Sequence, residues 1–352
     1  MALSKENLKF VRELFSRYYR LAPIKLPKDL GSREFAFQLL DTDSYVRHLS
    51  FTSESELRAY LAINTPKQAY YSTAKYSNPS APDYSEAGWQ GSEIMFDIDA
   101  DKLPGCKTQV LAEKVEVVTA ECIEIAKNAL RRLLHILEEH IGFSKDELMV
   151  YFSGNRGFHV IVASDDPEWL TLGSIHRLEL VDYVAARGLN LRRIFRGTTK
   201  RGFRIAPPTP RDGGWRSLIA SYYGGEFSDE SVEKAVESIA VAVDPLVTQD
   251  TSRLIRIPNS LNGKTGLVAS LIKIDDVDKF KFDESLTPFE GYAIIKPRAS
   301  LNGVFLGKKV TLSENVISKV DKSTALYMVL NGLANVVRYS LTSTRRVSEY
   351  YY

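Results

Sequence analysis

The chain has 352 residues, 44% hydrophobic and 26% charged, a composition that describes a globular protein with a large core, as one elaborated domain or two. Its formal net charge of +2 excludes a strongly basic or acidic protein, so a polyanion partner has to be sought in local charge. With two cysteines, Cys106 and Cys122, it has no disulfide framework and too few thiols for a Cys₄ or Cys₃His zinc site, and both read as buried or idle thiols.

The segment Met1-Ala-Leu-Ser-Lys-Glu6 lacks a basic head followed by an apolar core. No apolar run approaches the roughly 18 residues of a membrane span, so the expected compartment is the cytoplasm, or a nucleus if there is one, with no membrane partner. Ser4 is placed to cap an amphipathic helix of about four turns, in which Leu8, Val11, Leu14, Phe15 and Tyr18 recur at helical spacing until Pro23 and Pro27 end it. Residues 34–53 read as extended segments around the turn Asp41-Thr42-Asp43-Ser44, residues 53–63 as a short helix, and residues 75–89 as a loop.

In Ser92-Glu-Ile-Met-Phe-Asp-Ile-Asp-Ala-Asp101, Ile94, Phe96 and Ile98 alternate with Met95, Asp97 and Asp99. An extended segment sends Asp97 and Asp99 to one face, with Cα atoms about 6.5 to 7 Å apart. That spacing suits a Mg²⁺ or Mn²⁺ site of one ion, or two ions about 3.5 to 4 Å apart, and equally suits a strand running into a solvated acidic turn. Apolar recurrence between Val110 and Ile141 predicts a long helix, and Leu148–Phe152 and Phe158–Val162 predict strands, a crossover that sets the second strand beside the first.

From Ala163 to Val241 the chain turns polar and basic, with helices near 168–187 and 228–240 and a Pro/Gly-rich loop at 206–214. We read residues 164–241 as an inserted, largely helical subdomain, with 1–163 and 242–352 forming the main domain. Between Arg187 and Arg216 stand nine basic residues (Arg187, Arg192, Arg193, Arg196, Lys200, Arg201, Arg204, Arg211, Arg216) and one acid, Asp212. Phe195, Phe203 and Trp215 interleave with them, a mixture suited to single-stranded nucleic acid or to a solvated basic loop. Arg253–Ile257 and residues 267–274 are strand candidates, and a closing helix after Ser323 is expected to carry Leu326, Val329, Leu330, Leu333, Val336 and Val337.

The turn Ser153-Gly-Asn-Arg-Gly-Phe-His159 offers a hydroxyl, a guanidinium and an imidazole between glycines that let a ligand approach the backbone, a set that suits a triphosphate. It also reads as an ordinary hairpin turn with His159 satisfied in the core. Gly263-Lys-Thr265 is no Walker A loop, because Pro258 occupies the place of its first glycine, although Lys264 is free to meet a phosphate. Arg253 and Arg256 fall on opposite strand faces, so at most one points into a site shared with the aspartates. Asp244, in Val243-Asp-Pro-Leu-Val247, is the best placed third carboxylate.

Together, Phe96-Asp-Ile-Asp99, Ser153-Gly-Asn-Arg-Gly-Phe-His159 and Asp244-Pro-Leu-Val-Thr248 followed by Arg253-Leu-Ile-Arg-Ile-Pro-Asn-Ser-Leu-Asn-Gly-Lys-Thr-Gly266 resemble the archaeal and eukaryotic DNA primase small (catalytic) subunit. Arg33-Glu-Phe35 with Tyr45-Val-Arg47 is similar to that family too. The resemblance implies an α/β (α+β) primase fold with a central mixed sheet flanked by helices and an inserted helical subdomain. It implies that Asp97, Asp99 and Asp244 hold two Mg²⁺ or Mn²⁺ ions, and that Ser153, Arg156, His159 and Arg256 contact the phosphates of a nucleoside triphosphate, with Tyr45 and Arg47 as further contacts. Asn262 stands where the family commonly has histidine, and still offers hydrogen bonds to a sugar or phosphate. The zinc knuckle of many relatives has no counterpart among two cysteines, so no zinc is expected. Asp101 lies past the matched motif and stays outside the metal set. The function implied is synthesis of RNA primers, with DNA as a further product, on a single-stranded DNA template, beside a primase large subunit. Alternatives are a stand-alone gap-filling polymerase and a non-catalytic single-strand-binding module.

Overall fold

The computed structural model describes residues 3–42, 44–112, 115–199, 202–222 and 228–340. Helix α1 (Lys5–Leu21) is capped by Ser4, whose Oγ accepts from the Asn7 N–H at 3.2 Å, and it buries Phe10, Val11, Leu14, Phe15 and Tyr18. Strand β1 (Phe35–Gln38) lies between β2 (Tyr45–Leu49) and β3 (Gln68–Ser72), with α2 (Glu54–Asn64), capped by Ser53, connecting the latter two. Asp43 of the expected turn lies outside the described residues.

The stretch expected to be a loop contains a short ribbon, β4 (Ala74–Tyr76) and β5 (Trp89–Ser92), which delivers the chain to the aspartate strand β6 (Ile94–Asp99). The long helix expected over 110–141 starts only at Ala120. Before it, β7 (Gln109–Ala112) and β8 (Val115–Val117) form a hairpin, because Val110, Val115 and Val117 favour extended backbone. Thr119 then caps α3 (Ala120–His135) by accepting from the Cys122 N–H at 3.2 Å, and the helix runs on as a π turn over Ile136–Ile141. Cys106 and Cys122 are joined in a disulfide, Cα–Cα 4.7 Å, which corrects their reading as idle thiols and ties the loop after β6 to the first turn of α3.

Strands β9 (Leu148–Phe152) and β10 (Gly157–Val162) form the hairpin around the Ser153–Arg156 turn. Here too an expectation is corrected: β10, and not β9, lies beside β6, antiparallel to it, so the crossover through α3 skips one strand. The tight hairpin closes locally and fills the gap.

Residues 164–241 hold α4 (Pro167–Leu170), α5 (Ser174–Val184), α6 (Leu191–Ile194), the ribbon β11 (Arg196–Thr199) with β12 (Gly202–Ile205), α7 (Trp215–Tyr222) and α8 (Asp229–Ile239). Arg177, fully buried in α5, fastens this segment to the chain entering the aspartate strand by donating to the carbonyls of Ser92 (2.6 Å) and Glu93 (2.9 Å), and it also holds the Leu172 carbonyl of its own segment (2.8 Å). Trp215, expected as a base-stacking aromatic, is instead core, its Nε1–H donating to the Tyr183 carbonyl at 2.9 Å. Of the basic run, Arg216 is spent on Asp212 and the Ile194 carbonyl and Arg187 faces Asp182, while Arg192, Arg193 and Arg211 are exposed. Lys200, Arg201 and the side chains of Arg196, Phe203 and Arg204 lie outside the described residues.

The chain returns through α9 (Pro245–Gln249), which packs on β6 and α5. Two four-stranded sheets result, ordered β13-β3-β1-β2 and β14-β9-β10-β6, where β13 is Leu254–Arg256 and β14 only Leu271–Ile272. All their pairings are antiparallel, which refines the mixed sheet expected of this α/β fold. A further three-stranded sheet, β18-β15-β19, comprises β15 (Tyr292–Pro297), β18 (Ser318–Asp321) and β19 (Ala334–Tyr339), with the ribbon β16 (Leu301–Phe305) and β17 (Lys308–Leu312) inserted. The closing helix α10 (Lys322–Leu330) is shorter than expected. Gly332, at φ 72°, reverses the chain, and Val336 and Val337 belong to β19. Asn7 of α1 seals that strand, donating to the Ala334 carbonyl at 3.2 Å and accepting from the Val336 N–H at 2.9 Å. Among the described residues no helix is long and apolar enough to cross a membrane.

Candidate active site

The β6–β10 ladder sets His159 opposite Asp97 and Gly157 opposite Asp99. Gly157 is required by this closeness: a Cβ there would stand 1.8 Å from the Ile98 carbonyl oxygen. Asp244 joins through its main chain, its N–H donating to the Asp97 carbonyl at 3.0 Å, while its Oδ1 accepts from the Leu246 N–H at 3.0 Å and caps α9. Three carboxylates from residues 97, 99 and 244 thus collect at the end of one strand.

Their surroundings differ. Burial, with the negative charge of Asp99 beside it, pushes the Asp97 carboxyl up to about 7, and its Oδ1 is buried with no hydrogen-bond partner among the described residues. Burial works in the same direction on Asp244 but is outweighed by Lys102, which holds that carboxyl below its ordinary value. The Lys102 Nζ lies 3.0 Å from Asp99 Oδ2 and 2.9 Å from Asp244 Oδ2.

In the β9–β10 turn, Ser153 Oγ accepts from the Gly157 N–H at 3.2 Å and closes the loop. Gly154 takes φ 74°, and a Cβ there would meet the Asn262 Cβ at 2.9 Å. Asn262 clasps this turn: its Nδ2 donates to the Ser153 carbonyl at 3.1 Å and its Oδ1 accepts from the Lys264 N–H at 2.9 Å. Both ends of its amide are therefore occupied, and Asn262 shapes the turn more than it offers itself to a ligand. Arg156 lies across the acids, with Nε 3.3 Å from Asp99 Oδ1 and Nη1 2.8 Å from Asp101 Oδ2.

His159 is largely buried, its Nε2 3.4 Å from Asp97 Oδ1, its ring edge-on to Tyr151, and its Nδ1 without a hydrogen-bond partner among the described residues. Burial and then the nearby Arg256 push its pKa down to about 3, so the ring is neutral. Arg256 comes from the other sheet. It is buried against Gln68 and Tyr70, with its guanidinium 5.1 Å from the Tyr70 ring centre. Tyr45 packs against the same Tyr70, ring centres 6.0 Å apart. Arg47 is held elsewhere, by Glu34 at 3.0 Å and by the Tyr84 hydroxyl.

The structure thus gathers Asp97, Asp99, Asp244, Ser153, Arg156, His159 and Asn262 around one strand end, brings Arg256 and Tyr45 toward them from the facing sheet, and leaves Arg47 engaged. Lys102 was missed from sequence; its only signal was its place three residues after Asp99 in an acidic turn. Among the described residues no three of the His, Cys, Asp and Glu side chains converge closely enough to form a ready metal cage. The donor chemistry nonetheless fits a hard divalent cation: oxygens of Asp99 and Asp244 already share one positive atom, and Asp97 Oδ1, 3.4 Å from His159 Nε2, is buried with no hydrogen bond among the described residues.

The sequence profile of a family described as DNA primase small subunit matches residues 96–274, which include all three acids. The chain is 39% identical to the DNA primase small subunit PriS of Aeropyrum pernix, over 92% of both chains. It is 36% identical to the protein of the same name from Saccharolobus solfataricus, over 96% of this chain and 98% of that one. A solved structure, the polymerase domain of Mycobacterium tuberculosis Ligase D in complex with DNA, is similar at 12% identity and a TM-score of 0.37, covering 77% of this chain and 81% of that one, a likeness too distant to bear on function.

Proposed function

The chain belongs to the DNA primase small subunit family, and we propose that it starts short RNA chains on single-stranded DNA by template-directed nucleotidyl transfer. The observation that carries this reading is the β6–β10 ladder, which sets the acids against a glycine-bounded turn bearing Ser153, Arg156 and His159.

In this reading Asp97, Asp99 and Asp244 would hold the magnesium or manganese ions, whose chemistry at such a site is to lower the pKa of an attacking hydroxyl and to neutralise a leaving pyrophosphate. Arg156, now on Asp99 and Asp101, would exchange carboxylate for phosphate oxygens. The Ser153 hydroxyl has a proton to donate, since its oxygen serves as the acceptor within the turn. Arg256, set by Tyr70 and Gln68, would fix the triphosphate from the opposite sheet, and a neutral His159 would line the same cleft without adding charge. The exposed Arg192, Arg193 and Arg211 would attract the template strand, and a primase large subunit would complete the assembly.

The test is synthesis on an unprimed single-stranded DNA template with labelled ribonucleotides and Mg²⁺ or Mn²⁺. Asp97→Ala with Asp99→Ala should lower product by at least about a thousandfold while sparing single-strand binding. Wild-type product from that double variant would overturn the proposal.

A further inference from the structure

The structure assigns to Lys102 the role of a built-in counter-ion that competes with the divalent cation for Asp99 and Asp244. This rests on the metal reading above. Its Nζ stands 3.0 Å from Asp99 Oδ2 and 2.9 Å from Asp244 Oδ2, bridging acids that come from distant parts of the chain. A magnesium ion held by Asp99 and Asp244 would draw on the same pair of carboxylates. An ammonium and a dication held on one pair of carboxylates would repel each other. One of them has to leave.

The local fold lets Lys102 be the one that leaves. It ends the single 3₁₀ turn Ala100–Lys102, whose backbone is anchored on both sides: the Ala100 N–H donates to the Arg156 carbonyl at 2.9 Å, and Leu103, next in the chain, is buried. The lysine side chain itself is 54% exposed, so its four-carbon stem swings into water without disturbing either anchor. The preceding residue, Asp101, occupies Arg156 at 2.8 Å. One short turn thus places a cation on the acids and an anion on the arginine proposed to take phosphate. Each is the charge that the ligand of that half would replace. Lys102 keeps Asp99 and Asp244 together when no ion holds them, and weakens the hold of any ion that arrives. It is a positioning residue that sets metal affinity.

The experiment is a Mn²⁺ titration of the intact protein without nucleotide, following free Mn²⁺ by electron paramagnetic resonance, for the wild type, Lys102→Met and Lys102→Gln. Both variants should bind Mn²⁺ about tenfold more tightly than the wild type, within the range that neighbours of metal ligands exert. In chelator they should melt at a lower temperature than the wild type, and the gap should close when Mn²⁺ is added. A merely structural lysine would give the opposite direction, weaker binding from a disturbed site. Unchanged or weaker binding in both variants overturns the assignment. The acid variant Asp99→Asn with Asp244→Asn separates the two readings: if it loses the ion while the Lys102 variants match the wild type, only the role of Lys102 fails. If it keeps the ion with wild-type affinity, the metal reading fails and takes this inference with it.

Discussion

Beside the sheet β13-β3-β1-β2, the buried ions are paired with charges of their own neighbourhood. Arg33 is held by Asp29 at 2.8 Å, by Glu93 at 2.7 Å and by the carbonyls of Ser72 and Thr73, while Glu34 takes Arg47, the His48 N–H and the Tyr84 hydroxyl. In the other sheet, β14-β9-β10-β6, Asp97 Oδ1, His159 Nδ1 and the Tyr151 hydroxyl are buried with no hydrogen-bond partner among the described residues. Native proteins satisfy nearly all such groups. Three such exceptions share one face of one sheet, beside two further acids, and the proposed site lies on that face, whereas the ion pairs of the other sheet belong to the frame.

The largest test of that contrast is Arg33→Met. It leaves Glu93 and Asp29 facing no guanidinium, and should cost about 3–5 kcal/mol in urea unfolding, as removal of one member of a buried pair does. A cost below about 1 kcal/mol would mean that the closed sheet is no more dependent on its ions than the open one.

Arg256 sits where the two sheets meet, and its replacement sharpens the comparison. Arg256→Gln gives up the contacts to Gln68 and Tyr70, for an expected loss of about 1–2 kcal/mol. It also removes one of the three influences that depress His159, leaving burial and Arg253, so the imidazole pKa, followed by NMR, should move up from about 3 while staying below 6.5. An unmoved His159 would separate the sheets electrostatically.

What the sequence disclosed follows the same division. Asp97 and Asp99 were legible because a period of two sends both to one face of a strand whose other positions are apolar, and the glycine-bounded turn announces close backbone approach. The α1 helix was legible from Ser4 and its stripe. Other features depended on distant partners: Arg177 serves the Ser92 and Glu93 carbonyls more than eighty residues away, and Lys102 meets Asp244 across 142 residues. No local pattern announces such a contact. Trp215 was misread because its basic neighbours outweighed its own tendency to be buried, and the start of α3 because the valines from 110 to 117 suit either period over so short a span.

The smallest effect concerns pH, and it tests whether Asp97 and His159 work as a pair. Asp97, raised to about 7 from 3.8, binds a proton more readily folded than unfolded, so its contribution is stabilising at low pH and is lost as pH rises between those values. His159, lowered to about 3 from 6.5, does the reverse: its contribution is present above 6.5 and is lost as pH falls toward 3. Between about 4 and 6.5 the two slopes oppose, because the pair carries about one proton folded or unfolded and only the owner changes. In chelator, wild-type stability should therefore be nearly flat over that window on account of these two groups. His159→Gln should uncover a decline as pH rises and Asp97→Asn a decline as pH falls, each on the order of 1–2 kcal/mol in urea unfolding. Slopes of the same sign in both variants would show that the two residues do not divide one proton between them, and the open face of the sheet would then have to be explained residue by residue.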